Sequence, residues 1–283
     1  MRLQPLVIWD SFKRFRHTYR NYLSVIYHMT KNQSLINVTF RDGYSTLLPN
    51  RIASIATFFE PMQIGSENLV STLMANQVYY ENKLLTLSGI IEAGDIGFIF
   101  GRKGYNWLKV ENRVVFDVGA SIGDSSVFFA LKNAQKVIAL EPFPKIYTYL
   151  NTNIEANNLH GVVIPIMAGY GTGEPVRIEP EKNRRASVLL NDEGTGIIIN
   201  TYNFKQLFET FNVDSAVLKM DCEGCEYNII QEDNNTIAKF EQIMMEFHFG
   251  DRGIVKKLKE AGFQVESRKY FGGTGGMIRA IRV

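Results

Sequence analysis

Residues 219–227, with the sequence KMDCEGCEY, combine two cysteines in a C-x-x-C spacing with three carboxylates. A zinc site would need two more ligands of the usual kind, and the chain contains no second cysteine pair. The acids beside Cys225 would raise thiol pKa values, which disfavours a redox dithiol. We therefore expect the carboxylates to carry the chemistry. A disulfide between Cys222 and Cys225 stays open and would be incidental to it.

Acidic and imidazole groups follow the ends of two predicted strands. Asp221 ends the run AVLKMD, and Glu246 ends the run QIMMEF, with His248 just beyond it. Ligands in an open α/β sheet bind beyond the carboxyl ends of the strands, so these groups should face one site. Asp221 and His248 are both candidates for a general base that activates a hydroxyl. Together with Glu223, these groups could instead hold a divalent cation, although we assign no metal.

The stretch VVFDVGASIGDSS, residues 114–126, predicts a strand, a tight glycine turn and a helix capped by Asp124 or Ser125. Its glycines are spaced G-x-x-x-G, whereas a dinucleotide fold has G-x-G-x-x-G with a pyrophosphate at the helix N-terminus. A carboxylate at Asp117 would repel a pyrophosphate but suits the cationic amino acid group of S-adenosylmethionine. Glu141, at the end of the next predicted strand, can accept both hydroxyls of a ribose. These features predict a site for S-adenosylmethionine.

Short apolar runs alternate with helical segments from Arg113 onward. The runs VVFDV, KVIALE, VVIPIM, AVLKMD and QIMMEF suit strands that are buried on both faces of a parallel sheet. A β-α-β-α series implies right-handed crossovers and a doubly wound, mostly parallel α/β sheet. The tail predicts a terminal hairpin, so the last strand should run antiparallel to the others.

The segments VVFDVGASIGDSSVFFA, VIALEPFPKIYTYLNTNIEANNL and VLKMDCEGCEYNII together resemble the FkbM family methyltransferases. The resemblance extends from about residue 110 to the C-terminus, and its E-P-x-P and D-x-E-G-x-E motifs are more specific than the glycine loop. It implies a seven-stranded Rossmann-like sheet of the class I S-adenosylmethionine-dependent fold. It also implies O-methylation of hydroxyl groups, typically on sugars, glycans or polyketide-type natural products.

The predicted site divides into a cofactor part and an acceptor part. The cofactor residues are Asp117, Gly119, Ala120, Ser121, Gly123, Asp124, Glu141, Pro142, Met167 and Ala168, with the last two near the adenine. The catalytic residues are Asp221, Glu223, Glu246 and His248. Glu226 could orient acceptor hydroxyls or merely occupy the first turn of a helix. Arg184 and Arg185 could meet a phosphate or carboxylate of the acceptor.

Residues 1–108 are predicted to form a smaller α+β region and residues 109–283 the methyltransferase domain. Aromatic residues over 8–29 recur at three- and four-residue steps, which predicts an amphipathic helix, and Asp42-Gly43 predicts a hairpin turn. We expect this region to set substrate choice or to contact a second subunit in a homo-oligomer.

Two other functions stay open. Lys13, Arg14, Arg16 and Arg20 could grip RNA phosphates in an RNA methyltransferase. The net charge of +2 and the acids of the D-x-E-G-x-E motif disfavour a nucleic acid partner. The chain could also be a non-catalytic module that keeps the fold, but its intact glycine loop and Glu141 argue for cofactor binding.

The composition of the 283 residues, 45% hydrophobic and 21% charged, is that of an ordinary globular protein. No apolar run approaches the ~20 residues that a membrane span needs. We therefore expect a soluble, cytoplasmic protein that acts on a small-molecule or glycan acceptor.

Overall fold

The computed structural model describes residues 5–59, 64–90, 95–178, 196–270 and 273–283, with side chains from residue 11 onward. Contacts divide the chain into two units, Met1–Gly104 and Tyr105–Val283, whereas the sequence suggested a division after residue 108. Within the described residues, no helix has both the length and the apolar character needed to cross a bilayer.

The N-terminal unit consists of short helices and two antiparallel hairpins. Its elements are α1 (Pro5–Thr18), α2 (Tyr22–Thr30), β1 (Leu35–Thr39), β2 (Ser45–Pro49), α3 (Asn50–Ala56), α4 (Ser66–Met74), β3 (Gln77–Tyr80), β4 (Lys83–Thr86) and a π-helical turn at Gly97–Gly101. The β1–β2 hairpin turns at the predicted Asp42-Gly43 position.

The helix predicted over residues 8–29 is interrupted between α1 and α2. At the interruption the chain pairs with the first hairpin instead of continuing its own helix. The Arg20 backbone N–H donates to Thr39 O at 2.7 Å, and the Thr39 N–H donates to Asn21 Oδ1 at 2.8 Å. These tertiary bonds lie between residues distant in sequence, so periodicity alone could not reveal them.

A seven-stranded sheet forms the centre of the C-terminal unit. Its strands are β5 (Val114–Val118), β6 (Lys136–Leu140), β7 (Val163–Ile166), β11 (Ala216–Met220), β12 (Phe240–Phe247), β13 (Phe263–Lys269) and β14 (Gly276–Arg282). They lie in the order β13-β14-β12-β11-β5-β6-β7. The pairs from β12 to β7 are parallel, and β14 is antiparallel to both neighbours. The predicted doubly wound α/β sheet with an antiparallel final strand is therefore confirmed.

Helices lie between the strands of the C-terminal unit. They are α5 (Asp124–Leu131), α6 (Pro144–Ala156), α7 (Phe204–Thr210), α8 (Asn234–Ile237), α9 (Arg252–Glu260) and a 3₁₀ helix at Cys225–Gln231. Three further strands, β8 (Ala168–Tyr170), β9 (Val176–Ile178) and β10 (Ile197–Tyr202), form a small sheet with β10 in the middle. Every residue of β11 is buried, as expected for a strand covered on both faces.

Aromatic side chains make up a large part of the core on one side of the sheet. The Phe240 ring lies 4.8 Å from that of Phe204, 5.0 Å from that of Phe208 and 5.7 Å from that of Phe116, centroid to centroid. All four side chains are almost completely buried. Edge-to-face and tilted ring packing adds to the burial of apolar area, so this cluster stabilises β5 and β12 against α7.

We predict that Phe240→Ala lowers the free energy of unfolding by about 3–5 kcal/mol, because it opens a cavity among three other rings. Chemical denaturation followed by circular dichroism measures this change. Phe249→Ala is the matched control, since its side chain is 65% exposed. A change at Phe240 as small as that at Phe249 would contradict this account of the core.

Candidate active site

The loop after β5 has the conformation that the glycine spacing predicts. Gly119 (φ +73°) and Gly123 (φ +86°) both lie in the left-handed region. A Cβ atom at position 119 would overlap the carbonyl oxygen of Asp221, and one at position 123 would lie 2.6 Å from Leu150 Cδ1. Position 119 therefore requires glycine for two reasons: its backbone has a positive φ, and the chain after β11 approaches it too closely for a side chain.

The ribose candidate Glu141 lies beside this loop and is held by the backbone. Its Oε2 accepts from the Ser121 N–H at 3.0 Å, and its Oε1 accepts from the Phe143 N–H at 2.9 Å. Burial raises the pKa of Glu141 to about 7, against the lowering effect of these two donors. The neighbouring candidates differ in exposure, because Pro142 is half-buried, Ala168 is buried and Met167 is 47% exposed.

Asp117 lies near the end of β5, and its carboxylate contacts protein groups. Its carboxylate is fully buried and accepts hydrogen bonds from Ser125 Oγ at 2.7 Å and Ser126 Oγ at 2.6 Å. Its Oδ1 also lies 3.0 Å from Lys219 Nζ. The structure thus engages this carboxylate with protein groups, whereas the sequence suggested a direct pairing with the cationic group of the cofactor.

The start of α5 also differs in detail from the sequence prediction. Gly123 occupies the N-cap position, and Asp124 is the first helical residue, so neither Asp124 nor Ser125 is the cap. Asp124 Oδ1 accepts from the Ser125 N–H at 3.0 Å, and the side chain is buried. The hydroxyl of Ser125 bonds Asp117, as described above, so this residue supports the strand end.

Three predicted catalytic side chains converge beyond the ends of β11 and β12. One side-chain ligand atom each from Asp221, Glu223 and His248 lies within 4.8 Å of the other two. One acceptor hydroxyl, or one cation, could contact all three at this spacing. Glu246 belongs to the same group electrostatically, because burial and the charge of Asp221 raise its pKa to about 7.

His248 is oriented by a buried carboxylate. Its Nδ1 lies 2.8 Å from Oε1 of Glu226, a side chain with no exposed surface, and its backbone N–H donates to the same oxygen at 3.2 Å. The Nε2 atom points to the acid group and lies 3.3 Å from Glu223 Oε2. The hydrogen bond with Glu226 is the main cause that raises the pKa of His248 to about 9.

Glu226 lies in the first turn of the 3₁₀ helix, which is the second of the two roles considered for it. Its second carboxylate oxygen accepts from the Gly224 N–H at 2.7 Å, so both oxygens are engaged inside the protein. Sequence spacing could not reveal this, because residues 226 and 248 meet only through the pairing of β11 with β12.

The cysteines of the C-x-x-C spacing form a disulfide, with their Cα atoms 5.5 Å apart. The bridge closes a four-residue ring that contains Glu223 (φ +57°) and Gly224 (φ +125°). It therefore restrains the backbone from which the Glu223 carboxylate reaches His248. Arg184 and Arg185, the other predicted acceptor contacts, lie outside the described residues.

Comparison with known proteins assigns the chain to a family. The profile of the Methyltransferase FkbM domain matches residues 117–265, more than half of the chain, including both parts of the site. The chain belongs to the FkbM methyltransferase family. The hexuronic acid methyltransferase AglP of Haloferax volcanii is 28% identical over 164 residues, which are 56% of this chain and 66% of that protein. Family membership identifies S-adenosylmethionine as the cofactor, as the glycine loop and Glu141 predicted.

Solved structures with a similar arrangement include two from Methanocaldococcus jannaschii. Trm5 in complex with adenosine is 16% identical, with a TM-score of 0.41 over 73% of this chain and 56% of that one. TYW2 in complex with AdoMet is also 16% identical, with a TM-score of 0.40 over 73% of this chain and 86% of that one.

We predict that Gly119→Ala weakens binding of S-adenosylmethionine by about tenfold or more, because the added methyl group forces the loop away from Asp221. Isothermal titration calorimetry measures the dissociation constant. Gly161→Ala is the matched control, since a Cβ atom there meets nothing within 4 Å. Equal affinity of the two variants would show that the loop does not need its close approach to Asp221.

Proposed function

We propose that this protein transfers the methyl group of S-adenosylmethionine to a hydroxyl group of a sugar, glycan or similar polyhydroxylated small molecule. The observation that carries the proposal is the oriented imidazole of His248, whose Nε2 lies beside two carboxylates next to the cofactor loop. The partial similarity to a hexuronic acid methyltransferase supports a sugar acceptor. That match spans just under two thirds of the relative, so the acceptor itself belongs to the proposal.

The cofactor, when bound, supplies an electrophilic methyl group on a sulfonium. On the side of the protein, Glu141 would accept the ribose hydroxyls, beside the turn that Gly119 and Gly123 allow. A neutral sugar hydroxyl is a poor nucleophile, so a positioned base accelerates its attack. Since transfer to oxygen is an in-line displacement, correct placement of the hydroxyl supplies much of the remaining acceleration.

His248 is the base that the contacts favour. Glu226 accepts the hydrogen bond of Nδ1–H, which fixes the tautomer and leaves the lone pair of Nε2 for a proton from the acceptor. Asp221 and Glu223 can accept hydrogen bonds from neighbouring hydroxyls, as carboxylates commonly do in sugar recognition. Proton removal by this route requires no metal ion.

A second candidate function has one observation in its favour. In the N-terminal unit, Lys13, Arg14, Arg16 and Arg41 line a cleft of about 1090 Å³ together with Phe58 and Phe59. Basic groups beside aromatic rings suit an anionic partner, and RNA is one such partner. A role for this unit in selecting the acceptor agrees with the cleft equally well.

The first experiment measures transfer of a radiolabelled methyl group from S-adenosylmethionine to nucleotide-activated sugars, to uronic acids and to tRNA, with and without EDTA. We predict a labelled sugar whose methyl group survives mild alkali, because a methyl ether is stable there and a methyl ester is hydrolysed. We expect EDTA to leave the rate unchanged.

Each alternative outcome has a distinct meaning. A label that alkali releases would show that the methyl acceptor is a carboxylate and not a hydroxyl. Label in tRNA, together with salt-sensitive binding of tRNA by the protein, would favour the RNA function. Activity lost in EDTA and restored by a divalent cation would assign Asp221, Glu223 and His248 to a metal. Failure to bind S-adenosylmethionine at millimolar concentration would remove the proposal altogether.

The pH dependence tests His248 separately. Its neutral form is the base, so below the raised pKa of about 9 the competent fraction falls about tenfold per pH unit. We predict that kcat/KM rises with pH and levels off above about 9, and that His248→Gln removes this dependence together with most of the activity.

Glu226→Gln sharpens the same measurement. It removes the main cause of the raised pKa, so the inflection should shift towards the ordinary value of about 6.5, while the maximal rate falls on the order of tenfold because the imidazole is held less well. Glu241→Gln is the matched control, since that side chain bonds Arg113 and Ser215 away from the site. An unchanged profile in Glu226→Gln would mean that another group is the base.

A further inference from the structure

A lysine lies within a strand that is otherwise apolar. Lys219 is the fourth residue of β11, and its side chain is almost completely buried. Neither the proposed proton transfer nor the cofactor contacts described above use it. A buried ammonium without a stabilising environment would cost several kcal/mol, so its surroundings must compensate for that cost.

Three oxygen atoms lie within 3.5 Å of the ammonium nitrogen, one in an ion pair and two as hydrogen-bond acceptors. Nζ lies 3.0 Å from Asp117 Oδ1, 2.6 Å from the carbonyl oxygen of Gly119 and 3.5 Å from that of Val118. All three acceptors belong to the end of β5 and the first residue of the cofactor loop. A side chain of β11 therefore binds the neighbouring strand at the point where the loop begins.

The surroundings keep the lysine charged. Burial alone would lower the pKa of Lys219, but Asp117, Asp221 and Asp124 outweigh it and raise the pKa above its ordinary value. The ring of Tyr105 lies 6.0 Å from Nζ and is itself buried. The ammonium is thus held among carboxylates and shielded by an aromatic ring.

Both backbone polar groups of Gly119 are hydrogen-bonded within the protein. Its N–H donates to Leu140 O at 3.0 Å, while its carbonyl oxygen accepts from Lys219. Its Cα approaches the carbonyl of Asp221, and the Asp221 N–H donates to Val118 O at 3.0 Å. Lys219, on β11, and Asp221, just after the end of β11, therefore hold the cofactor loop in a fixed relation to the side chains of Asp221, Glu223 and His248.

We propose that Lys219 is a positioning residue. Through its bond to the Gly119 carbonyl it sets the place of the cofactor loop, and it thereby aligns the cofactor with Asp221, Glu223 and His248, which would bind the methyl acceptor. This inference rests on the proposed function for the identity of the two ligands. Asp117 takes part as the counter-ion that offsets the free-energy cost of burying the ammonium.

Two variants separate positioning from simple stabilisation. Lys219→Met removes the ammonium and leaves Asp117 as a lone buried charge, which should lower both the melting temperature and the affinity for S-adenosylmethionine. The double variant Asp117→Asn/Lys219→Met removes both charges, so much of the melting temperature should return. In both variants we expect the dissociation constant of S-adenosylmethionine to rise about tenfold or more, since the bond to Gly119 is lost.

Calorimetry with S-adenosylmethionine and thermal unfolding are the two readouts, and neither needs an acceptor. A double variant that regains both stability and cofactor affinity would reduce Lys219 to a structural role and overturn the inference. If Lys219→Met does not fold, the double variant alone decides between a positioning role and a purely structural role for Lys219. An unmodified chain that fails to bind S-adenosylmethionine would contradict the proposed function instead, so the two failures are distinguishable.

Discussion

The ammonium of Lys219 ties the end of one parallel strand to the end of its neighbour. It reaches from β11 to Asp117 and to the carbonyl of Gly119, where the cofactor loop leaves β5. Because Gly119 also approaches the Asp221 carbonyl too closely for any side chain, the loop has little freedom to move relative to β11. The cofactor side and the acceptor side of the site therefore share one rigid junction.

The acceptor side is organised by excess negative charge. Glu223 lies beside Nε2 of His248, with Asp221 close to both, and Glu226 lies buried beside Nδ1. Glu246 interacts electrostatically with Asp221 and His248. Burial and the charge of Asp221 raise the pKa of Glu246, and the hydrogen bond with Glu226 is the main cause that raises the pKa of His248. Among these groups the imidazole of His248 is best suited to act as the base, because Glu226 also fixes its tautomer. A base of this strength gains its full effect only in alkaline solution, which links the electrostatics of the site to its chemistry.

Much of the fold could be predicted from the sequence. The apolar runs of β5, β6, β7, β11 and β12 stand out because strands covered on both faces have no polar alternation, and the terminal hairpin follows from its turn signals. The N-terminal helix was predicted as one segment, and its interruption at Tyr19–Asn21 depends on bonds to a hairpin that is remote in sequence. For the site, the glycine loop and Glu141 were evident from spacing. Lys219 was overlooked, although a charge inside an apolar strand was the signal that could have revealed it.

The sequence by itself determined which strand ends carry chemistry and which cofactor suits them, because turns, strand ends and local spacing are properties of neighbouring residues. Only the tertiary structure decided what each charged group does. Asp117 pairs with Lys219 across two strands, and Glu226 meets His248 across two others, so both carboxylates are engaged inside the protein. The physical reason is that hydrogen bonds and ion pairs depend on distances between side chains, and residues far apart in sequence acquire those distances only when the sheet assembles.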